Sequence, residues 1–166
     1  IMESMSARKT GFISGGKSLT PFLDSLSKVS LTYKNIYTSG IHTHNGIFTS
    51  LYGYPSNMDL LPMYASLSQN LTYYGLPNVL KEKGYNNMYF CTTKAAFDNV
   101  DNFLMQNGFG EEVYDMDYYS EDKQVNCWGV PDHVLFNESI PKLKDAYKSG
   151  KPFLATYMTI STHTPH

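Results

Sequence analysis

The chain has 166 residues, enough for one domain with a real core, and 42% hydrophobic against 17% charged residues excludes a disordered or fibrous polymer. A net charge of −2 gives no electrostatic case for nucleic acid. Two cysteines, Cys91 and Cys127, suit neither a disulfide framework nor a Cys-based zinc site. No run reaches the roughly 18 apolar residues of a membrane span, and no signal peptide is evident. The opening "IMES" reads as the end of a buried strand whose earlier residues are missing. The closing "ISTHTPH" follows directly on a strand-like run, so the sequence reads as a piece of a longer polypeptide.

In chain order, "SLTPFLDSLSKVS" predicts a helix with Thr20 as N-cap and Pro21 at the first helical position, and with Phe22, Leu23 and Leu26 on one face. "LTYKNIY" (31–37) alternates like a strand. "GIFTSLYG" (46–53) suits a short helix closed by a glycine cap. The stretch from Tyr54 to Gly75 is turn-rich and reads as a surface excursion. "LPNVLKEKGY" (76–85) predicts a helix with a Gly84 stop, then a strand, "NNMYFCTT" (86–93). A helix near 98–107, a short strand-like "EEVYDMD" and a polar loop around 117–130 follow. In "PDHVLFNESIPKLKDAYKSG", Phe136, Ile140, Leu143 and Tyr147 fall at helical spacing, with Pro141 expected to kink or split the helix. "KPFLATYMTIS" (151–161) is a buried strand running into His163. Strands alternating with helices predict an α/β fold, a mostly parallel sheet flanked by helices.

In such a sheet ligands bind beyond the carboxyl ends of the strands. That rule selects Glu3 after the first strand, Thr43 after 31–37, Thr92 to Lys94 after 86–91, and His163 after 152–160. Glu3, Thr43 and His163 are therefore expected to cluster on one rim. The stretch "SGIHTHNGIFTSLYG", Ser39 to Gly53, holds two of the five histidines around Thr43, between Gly40 and Gly46. Both glycines are expected to let the backbone turn sharply and leave the hydroxyl uncovered. Glu3 offers a hard oxygen ligand to a divalent cation, and a cation beside Thr43 would lower its hydroxyl pKa. The start of the following helix favours an anion. His163 can donate to an anionic oxygen or a leaving group. Together these parts suit transfer of a phosphoryl or sulfuryl group. A bland reading stands beside this one: Glu3 as a solvated carboxylate, Thr43 as an N-cap and His133 as structural. If the segment is extended, His42 and His44 point to opposite sides and at most one faces the site.

The fragments "IMESMS", "LTPFLDSLSK", "YTSGIHTHNGIFTSLYGYP", "LPNVLKEKGY" and "PFLATYMTISTHTPH" carry a resemblance over nearly the whole chain. The sequence resembles the sulfatase-like branch of the alkaline phosphatase superfamily, closest to lipoteichoic acid synthase-like phosphoglycerol transferases. The resemblance implies Glu3 and Thr43 as metal ligands, Thr43 with Gly53 as nucleophile and helix end, and His163 in "STHTPH" as a substrate contact. His44 is expected to line the pocket. Sulfatases carry a Cys or Ser in a C/S-x-P-S-R pattern and oxidise it to an aldehyde. Threonine would give a ketone, so Thr43 favours direct attack on phosphorus and a phosphothreonine intermediate.

Lipoteichoic acid synthases carry a Trp and an Arg after the strand matching 86–91, whereas "TTKAAFDNVDNF" offers Lys94, Asp98 and Asn99. Lys94 and Asn99 are the expected substrate contacts there, and Arg8 in the first loop is a further candidate for phosphate. The resemblance implies a divalent ion, Mn²⁺ or Mg²⁺ first and Zn²⁺ or Ca²⁺ as alternatives, in a site completed by an Asp-His pair beyond residue 166. Residues 1–166 are then one truncated sulfatase-like catalytic domain, inactive alone. It further implies an anionic lipid or glycan substrate, no nucleic acid, and an extracytoplasmic domain at a bacterial cell membrane, tethered by helices outside this chain. The alternatives are a sulfatase and, in another class, a non-catalytic binding domain of the same fold.

Overall fold

The run Asn86–Cys91 is apolar on both sides of its alternation, and all of it after Asn86 is buried. A strand buried on both faces belongs in the middle of a covered parallel sheet. The computed structural model, which describes residues 1–55, 63–64 and 71–164, places it there. The described elements are α1 (Gly11–Ser14), α2 (Pro21–Ser27), α3 (Thr43–Tyr52), α4 (Leu76–Glu82), β1 (Asn86–Cys91), α5 (Val100–Leu104), β2 (Val113–Tyr114), α6 (Asp132–Lys148) and β3 (Phe153–Met158). The sheet order is β2-β1-β3. Both pairings are parallel, from Asn86 opposite Phe153 to Cys91 opposite Met158, and Tyr89 and Phe90 opposite Val113 and Tyr114. A parallel bridge between Met2 and Thr159 adds the opening residues beyond β3. The α/β reading of the sequence holds.

Alternation along β1 divides the core. Tyr89 and Cys91 face Ile47, Phe48 and Leu51 of α3 with Val100, Phe103 and Leu104 of α5, while Met88 and Phe90 face Leu135 and Ala146 of α6. On the α6 face Phe90 stacks between Tyr114 and Tyr157, its two partners in register, at centroid distances of 4.9 and 5.1 Å. Cross-strand aromatic contacts of this kind stabilise a sheet. Three of the chain's rings thus lock the register of all three strands.

Several expectations need correction. Residues 31–37 form no strand: Leu31, Tyr33, Ile36 and Tyr37 are exposed in irregular chain, because no neighbouring strand pairs with them. Alternation alone cannot supply that partner. In α2, Pro21 does open the helix, yet Phe22 and Leu26 are exposed and the helix buries no residue. In α6 the buried stripe is Leu135, Ser139 and Ala146 with Leu143 beside them, while Phe136, Ile140 and Tyr147 are exposed. Small residues bring this helix close to the sheet, and Ser139 Oγ lies 2.7 Å from Tyr157 OH.

Pro141 does not split α6. It sits on the exposed side together with Asn137, whose carbonyl loses its helical donor and can be hydrated. The helix read as 46–53 begins at Thr43 and ends at Gly53, where φ is +73°. Most of the expected surface excursion, 56–62 and 65–70, lies outside the described residues.

The α6 register is testable by denaturant unfolding. Leu135→Ala, at a fully buried position, is expected to cost about 2–5 kcal/mol. Tyr147→Ala, at a residue 80% exposed, is expected to change stability by less than about 0.5 kcal/mol.

Candidate functional site

The carboxyl ends of the strands gather the opening residues, the loop after β1, the loop after β2 and the turn after β3. The α3 N-terminus reaches the same edge. There Thr43 Oγ1 donates to Glu3 Oε2 at 2.9 Å. Ser4 Oγ donates to Glu3 Oε1 at 3.1 Å, from a residue with φ +50°. Thr162 Oγ1 donates to the Glu3 carbonyl, and Thr159 N–H donates to the Ile1 carbonyl at 3.1 Å. Both carboxylate oxygens and the backbone of Glu3 are therefore oriented by hydroxyl donors. Thr43 and Glu3 are half-buried.

Thr43 is the first residue of α3 and does not cap it. His42 holds the cap position, with its N–H donating to Asn45 Oδ1 at 3.3 Å and its carbonyl accepting from Asn45 and Gly46 N–H. The hydroxyl of Thr43 is thereby free to face the sheet edge. Gly40 is needed for close approach, since a Cβ there would lie 2.6 Å from the Asn45 side chain. A Cβ at Gly46 meets nothing within 4 Å, so that glycine is not required by the turn. His42 is extended at the cap, but the chain turns into the helix at Thr43, so His42 and His44 do not diverge: their rings stack at 5.4 Å and 10°.

Two cavities meet at Thr43. The outer, of about 380 Å³, is lined by Glu3, Ser6, Gly40, His42 and Met158 among others. The inner, of about 30 Å³, is lined by Ile47, Cys91, Lys94, Phe97 and Asp98 among others. Lys94 pairs with Asp117 from the loop after β2, and this hydrogen bond raises the lysine pKa above its ordinary value. His44 is buried and donates from Nδ1 to Asp98 Oδ2 at 2.9 Å. Asn99 is buried and used within the fold, donating to the Met63 carbonyl at 2.7 Å and accepting from Asn102 at 2.9 Å. Arg8 lies in the turn Ala7–Lys9 and lines neither cavity.

His163 lines a separate cavity of about 220 Å³ with Trp128, Pro131 and Ile160, its ring 4.4 Å from that of Trp128. It joins the Glu3–Thr43 pair through its neighbour Thr162. The structure thus brings Glu3 and Thr43 into contact, sets Lys94 on a shared cavity, and leaves His163 one cavity away. Sequence reasoning missed Ser4, Thr162 and Asp117: Thr162 and Asp117 meet partners 159 and 23 positions away, beyond any spacing rule, while Ser4 neighbours Glu3 but carries no motif. Asp98 stood in the stretch already noted, but its pairing with His44 depends on the local backbone.

The arrangement offers a hydroxyl with a carboxylate acceptor in hydrogen-bond reach, at a helix N-terminus and beside a lysine. That is a constellation for nucleophilic group transfer to an anion. Comparison with known proteins agrees in class. The Sulfatase family model matches residues 1–166, so the chain belongs to the Sulfatase family, a family of transferase- and hydrolase-type enzymes. Phosphoglycerol transferase I of Xanthomonas axonopodis pv. citri is 31% identical over 121 residues, covering 70% of this chain and 16% of that protein. Lipoteichoic acid synthase 2 of Bacillus subtilis is 25% identical over 170 residues, covering 99% of this chain and 25% of that protein. A protein in the alkaline phosphatase superfamily from Vibrio parahaemolyticus superposes with a TM-score of 0.88 at 30% identity, covering 99% of this chain and 40% of that one. The lipoteichoic acid synthase LtaP from Listeria monocytogenes shares the fold, with a TM-score of 0.79 at 24% identity over the same shares. The chain spans a quarter or less of the length of these two curated relatives.

Burial and the neighbouring Asp115 push the Cys91 thiol well above the ordinary cysteine value, and its Sγ donates to the Thr93 carbonyl at 3.3 Å. Iodoacetamide at pH 8 is therefore expected to alkylate the exposed Cys127 of the folded protein and to spare Cys91. Peptide mass mapping before and after unfolding measures this directly.

Proposed function

We propose that this chain is part of an enzyme that transfers a phosphoryl group, or hydrolyses a phosphodiester, on a cell-envelope lipid or glycan. Thr43 is its nucleophile. The observation that carries this reading is the 2.9 Å hydrogen bond from Thr43 Oγ1 to Glu3 Oε2 at the carboxyl edge of the sheet. The names of the phosphoglycerol transferase and lipoteichoic acid synthase relatives support the same chemistry. Thr43 Oγ attacks phosphorus as its proton passes to Glu3 Oε2; the bond to the departing alcohol breaks as that alcohol takes a proton from water, and Glu3 returns its proton to solvent. Water or an acceptor hydroxyl then attacks phosphorus, breaking the bond to Oγ and restoring threonine. Lys94 lines the inner cavity at Thr43 and supplies positive charge toward the anionic group. His163 meets the substrate on its far side.

The residues present fit a divalent cation. Glu3 Oε2 and Thr43 Oγ1 lie 2.9 Å apart, a separation that two oxygens ligating one ion adopt. The carboxylate has lone pairs enough for both roles. When bound, such an ion, Mn²⁺ or Mg²⁺ in the first instance, would acidify the Thr43 hydroxyl and neutralise phosphate charge. In this proposal the remaining ligands are the Asp-His pair beyond residue 166 that the family resemblance implies; among the described residues no group of three His, Cys, Asp or Glu side chains could hold a metal. We read residues 1–166 accordingly as the N-terminal part of one catalytic domain. Among the described residues no helix is long and apolar enough to cross a membrane. Membrane tethering, with the domain on the extracytoplasmic face, would come from helices elsewhere.

A sulfatase reading is disfavoured by the threonine itself, whose β-methyl prevents formation of the aldehyde. A binding domain without chemistry predicts no covalent adduct. In the full-length protein, Thr43→Ala is expected to abolish turnover of a phosphodiester donor while lowering stability by only about 1 kcal/mol through the lost hydrogen bond. Thr43→Ser is expected to keep part of the activity. Intact-mass analysis of quenched wild-type enzyme should show a phosphorylated species that the Ala variant lacks. An active Thr43→Ala enzyme refutes the assignment.

A further inference from the structure

The loop after β1 does something costly. Asp98 and Asn99 lie in succession in the left-handed region, at φ +56° and +59°. Asp and Asn enter that region more readily than other non-glycine residues, but as single residues, and two in a row persist only where their surroundings hold them there. Asn99 is held through its amide, on the Met63 carbonyl and on Asn102. What the strained pair achieves is the delivery of Asp98 Oδ2 to within 2.9 Å of His44 Nδ1. The two side chains are only 22% and 5% exposed, so the contact is largely shielded from water. His42 stacks on a face of the His44 ring. The first turn of α3 is therefore gripped at consecutive residues by different segments: Thr43 by Glu3 from the chain's opening residues, His44 by Asp98 from the loop after β1. That same loop carries Lys94, which lines one cavity with Thr43 and Asp98.

We infer that Asp98 is a positioning residue for the transfer reaction: through His44 it fixes the first turn of α3, and so the direction of Thr43 Oγ, relative to Lys94 and Glu3. A carboxylate that accepts from Nδ1 fixes the ring's tautomer and orientation, as supporting partners of functional histidines do. This inference rests on Thr43 being the nucleophile. A misplacement of the attacking atom of about 1 Å costs roughly a hundredfold in rate without weakening substrate binding. Hence Asp98 acts on kcat and not on KM.

The test uses the full-length enzyme with bis(4-nitrophenyl) phosphate as probe. Asp98→Gly removes the carboxylate while accepting the left-handed backbone. It is expected to lower kcat roughly ten- to hundredfold with KM changed less than about threefold. Asp98→Asn, which tolerates the same φ and keeps an acceptor oxygen, is expected to restore most of that loss. In a His44→Ala background, Asp98→Gly is expected to cost little more, since the two residues act as one unit. A lower melting temperature with unchanged kcat per folded molecule in Asp98→Gly, or full additivity with His44→Ala, overturns the inference. If wild-type turnover proves independent of Thr43, the proposed function fails first and the role of Asp98 falls with it.

Discussion

The structure depends on burying one strand completely. β1 can hide both faces only if helices cover each side, and it can satisfy its backbone only if strands pair along both edges. β3 pairs with its whole length and β2 with its carboxyl half. The ring of Phe90, clasped between Tyr114 and Tyr157, makes any slip of one residue unfavourable, since it would turn the rings out of contact and reverse the faces of the strand. With the strands aligned in this way, their carboxyl ends lie level. The loops that leave them have little choice but to meet.

That meeting gives the site its character. Nothing in α3 alone would supply Thr43 with a carboxylate acceptor. Its hydroxyl gains a partner because His42 occupies the cap position and because the chain's opening residues bridge to β3. Gly40, pressed against the Asn45 side chain, keeps the approach to the helix narrow. The polar groups there are short hydroxyls and carboxylates from separate loops, and each is oriented by another. A site so composed has small tolerance for displacement of any one segment.

Much of this was legible beforehand. β1 and β3 announced themselves as apolar runs bounded by turn residues, and Gly53 marked the end of α3 through the left-handed conformation it permits. The placement rule for open sheets selected Glu3 and Thr43, but Thr43 on a strand at 31–37 that does not form; it reaches the sheet edge as the first residue of α3. The failures have different causes. Residues 31–37 carry the alternation of a strand, but a strand exists only with a partner, and periodicity says nothing of partners. In α6 the bulky side chains suggested one face, while the sheet took the neighbouring face with Ser139 and Ala146 because close approach outweighed side-chain size. The Asp98–His44 contact was hidden for a third reason. It needs two left-handed residues, which no local preference of Asp-Asn would demand.

The bond between Thr162 and the Glu3 carbonyl joins residues 159 positions apart. The segment bearing Glu3 therefore waits for Thr162 to be made before that side of the site can close. At ordinary ribosomal speeds of about 5–20 residues per second, roughly ten to thirty seconds separate the emergence of the two partners. Until β3 arrives, the segment bearing Glu3 has no edge to lie against, and Thr43 has no acceptor. Assembly of this side of the site thus follows the emergence of β3, by which time the helices and β1 have already been made. The Thr43 hydroxyl in this way lacks its carboxylate partner until the sheet edge that holds Glu3 is built.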